Sequence, residues 1–368
     1  MKKVMLITYH HCDSKRKAGF HWLADAFNKM GWEVTFFTAA ISYLSYLNRN
    51  FRIKYLDRRE KNKFIKIKEN FRAYIWFTNW HPVNFRSSIL NKFASGFFKS
   101  YSSLLKDKVV EDKVKETDLF IFESFPGLFL FPKFKELNPS ARFVYRVSDD
   151  IRLFNPHVTV LELEKKISPE FDLVSVPSHF IFNKFKGLDN LRLQYHGINK
   201  NLFDDKYENP YSHNKNNPNL IFTGISYFDY EFLELGSQLF PNWRFHIFGP
   251  MKHKLQADNI KYYGEVSYEK IIPYIKYADI GLQTLIYSKS AVAFTDSLKV
   301  LQYSYCKLPI VAPEFLKSDR KNIYYYKPGD EESIRGAVTN AQKFGKDTFD
   351  NSNIHSWEKL AKDLANGN

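Results

Sequence analysis

An α/β protein made of two Rossmann-like halves is predicted by three observations. Short apolar runs alternate with segments of helical periodicity along most of the chain. The alternation breaks once, at an Asn-rich stretch, and then resumes. The chain has 368 residues, enough for two separately cored domains.

Residues 4–8 are a short apolar run, read as a first strand. A helical pattern follows through Phe20, Leu23, Ala24 and Phe27, with Gly31 as its stop and a second apolar run at 34–37. Residues 119–122, 143–145 and 173–176 repeat the buried-strand signature. Strands interleaved with helices imply a mostly parallel sheet covered on both faces. The stretch ENPYSHNKNNPN, with two prolines and almost no aliphatic side chains, reads as a linker. Beyond it, strands are expected at 220–223, 244–248, 261–263, 280–283 and 310–312, and helices at 230–239, 269–277 and 297–305. The expected division is a first domain at 1–205, a linker at 206–219, a second domain at 220–350, and a terminal segment at 351–368 whose helix returns to the first domain.

The chain carries 54 Lys and Arg against 40 Asp and Glu, a formal charge of +14, so phosphate-bearing partners are favoured. Most of the excess lies in 51–115, where 16 basic residues face 6 acidic ones. Cys12 and Cys306 are the only cysteines, which fits neither a disulfide framework nor a zinc site and suits a reducing cytosol. The apolar run at the amino terminus is too short for a secretory signal, and the longest uncharged stretch, 34–48, falls short of a spanning helix. Any membrane contact is therefore expected to be peripheral.

Ligands of open α/β sheets sit beyond the carboxyl ends of the strands. Four such places carry polar groups. The Tyr9-His10-His11 run follows the first strand without a GxGxxG, so His10 reads either as an acceptor contact or as part of a solvated loop. In VYRVSDD an apolar strand runs into Asp149 and Asp150, which read as a proton-accepting pair or as caps of a following turn. In YYGEV, Gly264 permits close backbone approach and Glu265 can accept hydrogen bonds from a base or ribose, although an ordinary strand-to-helix turn has the same pattern. In DSLKVLQY a lysine, Lys299, falls in the first turn of a helix, with Gln302 on the same face. A cation there opposes the helix dipole, so a local anion explains it better than chance, and the place suits a diphosphate.

This last stretch, followed by KLPIVAP, resembles the second domain of GT-B glycosyltransferases. More closely, the chain resembles the GumK-like family of xanthan-assembly glucuronosyltransferases. The matching pieces are FHWLADAF, ISYLSYL, WHPVNFR, DLFIFES, VYRVSDD, LVSVPS, HGINKNLF, TGISYFDYEF, YYGEV, YIKYADIGL, DSLKVLQY and KLPIVAP, in that order along almost the whole chain. The resemblance implies two Rossmann-like domains facing each other across a cleft. It also implies an inverting, metal-independent transfer of glucuronic acid from UDP-glucuronate to a polyprenyl-diphosphate-linked oligosaccharide, with no cofactor. Its catalytic base falls on Asp149, and its donor contacts on Glu265, Leu298, Lys299 and Gln302. Where the family has a donor-site Met, this chain has Ser226. A donor-site Tyr corresponds to Leu285, with Tyr287 close by. His10, His81 and Asp150 are the further acceptor-side candidates.

Phe85, Ile89, Phe93, Phe97, Tyr101 and Leu104 recur at helical spacing among Arg86, Lys92 and Lys99, which suits either an amphipathic helix on anionic lipid or a helix facing the first core. The lipid reading makes Arg86, Ile89, Lys92, Phe93, Phe97 and Lys99 contacts with the cytoplasmic face of the plasma membrane. Alternative readings are a transferase of another UDP-sugar, a UDP-sugar epimerase, or a nucleic-acid-binding protein. The last is disfavoured because no helix-turn-helix, zinc or RNP-like pattern is present.

Overall fold

The computed structural model describes residues 1–14, 17–47, 50, 52–56, 61–213, 217–224 and 227–367. They divide into two compact units, Met1–Tyr195 with Trp357–Asn368, and His196–Ser356. The division thus falls at 195/196, upstream of the expected 205. The segment expected as a linker is grouped with the second unit, where Tyr211 is buried and donates its hydroxyl proton to the Tyr274 carbonyl at 3.0 Å.

The first unit is an eight-stranded sheet in the order β3-β4-β2-β1-β5-β6-β7-β8. The strands are β1 (Lys3–Thr8), β2 (Glu33–Ser42), β3 (Phe64–Lys68), β4 (Phe71–Thr78), β5 (Leu119–Glu123), β6 (Arg142–Arg146), β7 (Leu173–Val176) and β8 (Leu191–Leu193). All neighbours run parallel except β3, which pairs antiparallel with β4. The central strands are buried along nearly their whole length, as a sheet covered on both faces requires. The β3–β4 hairpin lies inside the basic stretch and was not expected. Its outer strand, FIKIK, carries the lysines that keep a sheet edge from pairing further, and Asn70 turns the chain at φ 53°.

The second unit is a six-stranded, all-parallel sheet in the order β11-β10-β9-β12-β13-β14. Its strands are β9 (Asn219–Thr223), β10 (Arg244–Phe248), β11 (Ile260–Gly264), β12 (Ile280–Leu282), β13 (Ile310–Pro313) and β14 (Ile323–Tyr326). Each sheet reverses its winding once, between β1 and β5 in the first unit and between β9 and β12 in the second. These reversals are the switch points at which doubly wound folds open a ligand crevice.

The terminal helix Trp357–Asn366 belongs to the first unit. It lies against the Gly19–Lys29 helix, where Lys29 reaches Glu358 at 3.6 Å, and its Leu364 carbonyl accepts from Arg142 Nε at 3.2 Å. Among the described residues no helix is long and apolar enough to cross a membrane.

The aromatic-basic series 85–104 is not one helix. Ser87 caps a helix at Ser88–Lys99 by accepting from the Leu90 N–H, and Ser100 ends it. Phe85 and Arg86 precede it, Arg86 at φ 57°, and Tyr101 lies in a following 3-10 turn with its ring fully buried. Within the helix, Phe98 faces the core, whereas Ile89, Phe93 and Phe97 are 67%, 76% and 68% exposed. The core reading therefore fails for these three residues.

Candidate active site

Polar side chains gather at both switch points. In the first unit, His10 follows β1, Glu123 ends β5, and Asp149 follows β6, three neighbouring strands of one sheet. All three line a cavity of about 960 Å³, together with Tyr9, Asn50, Asn84 and Phe154 among others.

Glu123 is the anchor of this group and went unremarked in the sequence. Its signal was a carboxylate closing an apolar strand in DLFIFES. The carboxylate is buried and accepts from Thr8 Oγ1 at 2.5 Å and from the Tyr9 N–H at 3.0 Å, and lies 3.4 Å from His10 Nε2. Burial works against its charge, but His10, Thr8 and Tyr9 outweigh that and hold it below the usual carboxylate range. Burial likewise works against the His10 imidazolium, and the facing Glu123 overcomes it, raising His10 above its ordinary value.

Asp149 is held by its backbone: Ser124 Oγ donates to its carbonyl at 2.7 Å, leaving the carboxylate with no hydrogen bond or ion pair among the described residues. Its side chain is exposed, opening onto the cavity. Desolvation by the protein behind it, with the negative charge of Glu123, pushes its carboxyl up to about 6. A carboxylate of this kind accepts a proton near neutral pH.

Asp150 is turned elsewhere. It caps the 3-10 turn Ile151–Phe154 and pairs with Arg152 at 2.6 Å and Lys184 at 3.0 Å, so the capping alternative describes it. His81 lines the cavity, but its Nδ1 shares a 2.6 Å hydrogen bond with Ser42 Oγ, and burial pulls it down to about 3, keeping it neutral. Arg86 also lines this cavity.

The second unit's cavity, about 320 Å³, opens at the β9/β12 switch point. Thr223, Gly224, Leu285, Leu298, Lys299 and Gln302 line it, with Tyr268 and Phe294 among the rest. Lys299 is the second residue of the helix Leu298–Tyr305. Its Nζ stands 4.0 Å from the centre of the Phe222 ring, and burial pulls the ammonium down to about 7. Gln302 is fixed by donating to the Tyr268 hydroxyl at 2.9 Å. Gly224, at φ 151°, lines the cavity, and Gly249, at φ 134°, packs behind, where a Cβ would sit 1.9 Å from the Gly224 carbonyl oxygen.

Of the other donor candidates, Glu265 lies exposed just beyond β11, after Gly264 at φ 68°. Tyr287 is exposed and packs edge-on against Phe315 at 5.3 Å, outside the cavity wall. Ser226 lies outside the described residues. Phe222, Gly224 and Tyr268 were missed. The first two lie at the end of the apolar strand in NLIFTG, where a strand's carboxyl edge meets a glycine.

Residues 6–177 match the family described as glucuronosyltransferase GumK, N-terminal domain. Over 340 residues, 92% of this chain and 83% of the relative, the sequence is 28% identical to UDP-glucuronate:glycolipid 2-beta-glucuronosyltransferase of Xanthomonas campestris pv. campestris. Among solved structures, Anabaena Alr3699/HepE in complex with UDP matches with a TM-score of 0.60 and 14% identity, covering 100% of both chains. Sucrose-phosphate synthase from Thermosynechococcus elongatus matches with a TM-score of 0.60 and 13% identity, covering 100% of this chain and 94% of its own. Two Rossmann-like units, a family match across the first and a relative spanning both lead to one assignment: the chain is a glycosyltransferase of the GT-B fold that resembles the GumK-like enzymes.

Proposed function

We propose that the protein transfers glucuronic acid from UDP-glucuronate to a hydroxyl of a polyprenyl-diphosphate-linked oligosaccharide, with inversion and without a metal, in exopolysaccharide synthesis. The observation that carries the donor side is Lys299, a recessed cation with no carboxylate partner among the described residues, at the start of a helix beside Gly224. A nucleotide diphosphate supplies the missing negative charge and accepts from the free N–H groups of the first helical turn. The sugar identity is supported by the name of the Xanthomonas relative, which acts on UDP-glucuronate and a glycolipid.

Asp149 takes the proton of the acceptor hydroxyl as its oxygen bonds to the anomeric carbon from the side opposite UDP. The bond from that carbon to the phosphate oxygen breaks, and its electron pair leaves on UDP, where Lys299 and the helix N–H groups meet the growing charge. The exposed Ile89, Phe93 and Phe97, with Lys92 and Lys99, are suited to peripheral contact with the cytoplasmic leaflet that carries the lipid acceptor.

The test is thermal-shift titration with a panel of UDP-sugars. UDP-glucuronate should raise the melting temperature more than UDP-glucose or UDP-N-acetylglucosamine, and Lys299→Ala should remove the rise. No stabilisation by any uridine nucleotide would overturn the donor reading.

A further inference from the structure

A buried carboxylate facing an imidazole beside a second, unbonded carboxylate is more than the proposed reaction needs from Asp149 alone. Glu123 is fixed on three sides, by Thr8 Oγ1, the Tyr9 N–H and His10 Nε2, so it cannot swing away from the cavity floor. By receiving Nε2–H it selects the His10 tautomer whose Nδ1 is the unprotonated nitrogen, and it favours the imidazolium when a proton is available. The groups facing His10 are Glu123, Asp149, the guanidinium of Arg52 and the rings of Tyr9 and His21. His21 is neutral there: burial pulls it down to about 4, with its ring nitrogens bonded to the His11 carbonyl and the Ala18 N–H. Arg52 is 1% exposed, lies 3.5 Å from the centre of the Tyr9 ring, and donates to the carbonyls of Tyr9, Ala39 and Ala40. The groups facing Asp149 are Glu123, His10 and Asp150. Asp150 is already neutralised by Arg152 and Lys184. The adjustable charges around Asp149 are therefore Glu123 and His10.

We propose that Glu123 and His10 are positioning residues that act through Asp149, a fixed anion and a movable cation whose opposed effects set the pH at which Asp149 accepts the acceptor's proton. The proposal rests on the reading of Asp149 as the base. When Asp149 takes up that proton its negative charge disappears, so the imidazolium of His10 is held less tightly and the pair relaxes toward neutral.

The test has two arms. The first is the pH profile of UDP release from UDP-glucuronate with water as acceptor, in the wild type, His10→Asn and Glu123→Gln. Losing the cation should move the acidic limb up by about one pH unit, and losing the fixed anion should move it down. Limbs that move the same way, or stay in place in folded variants, overturn the proposal. The second arm needs neither turnover nor a folded Glu123 variant. The His10 ring titration, followed by NMR, should fall in Asp149→Asn relative to the wild type, because coupling is reciprocal. An unchanged titration overturns the proposal. Wild-type rates of UDP release in Asp149→Asn would instead remove Asp149 as the base, a failure distinct from that of the pair.

Discussion

Lys299 and Phe222 are stacked, ammonium over ring at 4.0 Å, with no carboxylate to share the cation's charge among the described residues. The ring supplies weak compensation compared with the water the ammonium has lost. Burial therefore leaves this lysine only partly charged at neutral pH, and the proposed diphosphate would restore the charge on binding.

UDP binding should accordingly take up a proton. With the free lysine at about 7, the Kd for UDP should rise by up to about tenfold per pH unit between roughly pH 7.5 and 9.5 in calorimetric titrations. Lys299→Arg should flatten this dependence, since a guanidinium stays charged throughout. The same shift bears on stability. The folded value lies below the unfolded one of 10.5, so the unfolded chain binds more protons between those two pH values and the lysine costs stability as pH falls through that window. Without ligand, Lys299→Met should melt roughly 2–4 °C higher at pH 7 and no higher above about pH 11.

Asp149→Asn should lower kcat by about 10²- to 10⁴-fold while leaving the Kd for UDP unchanged, in single-turnover and binding measurements respectively. Its side chain lines the first unit's cavity, whereas Lys299, the proposed diphosphate contact, lines the second's.

Much of this was legible in the sequence, for a physical reason. A strand buried on both faces must be apolar throughout, so residues 4–8, 119–122 and 220–223 announced themselves, and the residues just beyond them became candidates. What could not be read was whatever depends on lateral neighbours. Glu123 matters because β5 lies beside β1, and strand order is a tertiary fact. The edge strand β3, FIKIK, does alternate apolar residues with lysines, but its five residues lie within a long basic stretch whose charge masked that short period. Spacing in 85–104 suggested one helix, but periodicity continues across a serine stop that only the backbone shows.

Gly249→Ala should destabilise the protein by about 2–4 kcal/mol and weaken UDP binding, because the new methyl would strike the Gly224 carbonyl beside Lys299 at a φ of 134°. Gly336→Ala, in the helix Glu331–Gln342 with nothing within 4 Å of the added carbon, is the control and should stabilise by about 0.5–1 kcal/mol. Denaturant midpoints measure both.

Asp150→Ala should cost about 1–3 kcal/mol by chemical denaturation, since it removes the cap of Ile151–Phe154 and one of the two carboxylates that hold Lys184, the other being Glu164 at 2.7 Å. The folded Asp150 titrates below its ordinary 3.8, despite burial, because Arg152 and Lys184 hold it charged. Its contribution is therefore fully present above 3.8 and lost as pH falls through the depressed folded value, so wild type and variant should draw together as the pH is lowered below 3.8.

Phe93→Ser with Phe97→Ser should reduce co-sedimentation with vesicles containing phosphatidylglycerol by about tenfold or more, while leaving UDP binding intact. Both side chains are already exposed, so the melting temperature should stay within about 1 °C.

The return of Trp357–Asn366 to the first unit makes that unit discontinuous in sequence and the second an insertion within it. A terminal truncation therefore injures the half that carries Asp149, at the far end of the chain from it, and spares the half that carries Lys299. Excising 196–356 and rejoining the flanking ends would ask whether the half that carries Asp149 folds alone, whereas 196–356, an uninterrupted segment, would be expressed by itself to ask whether it captures a nucleotide.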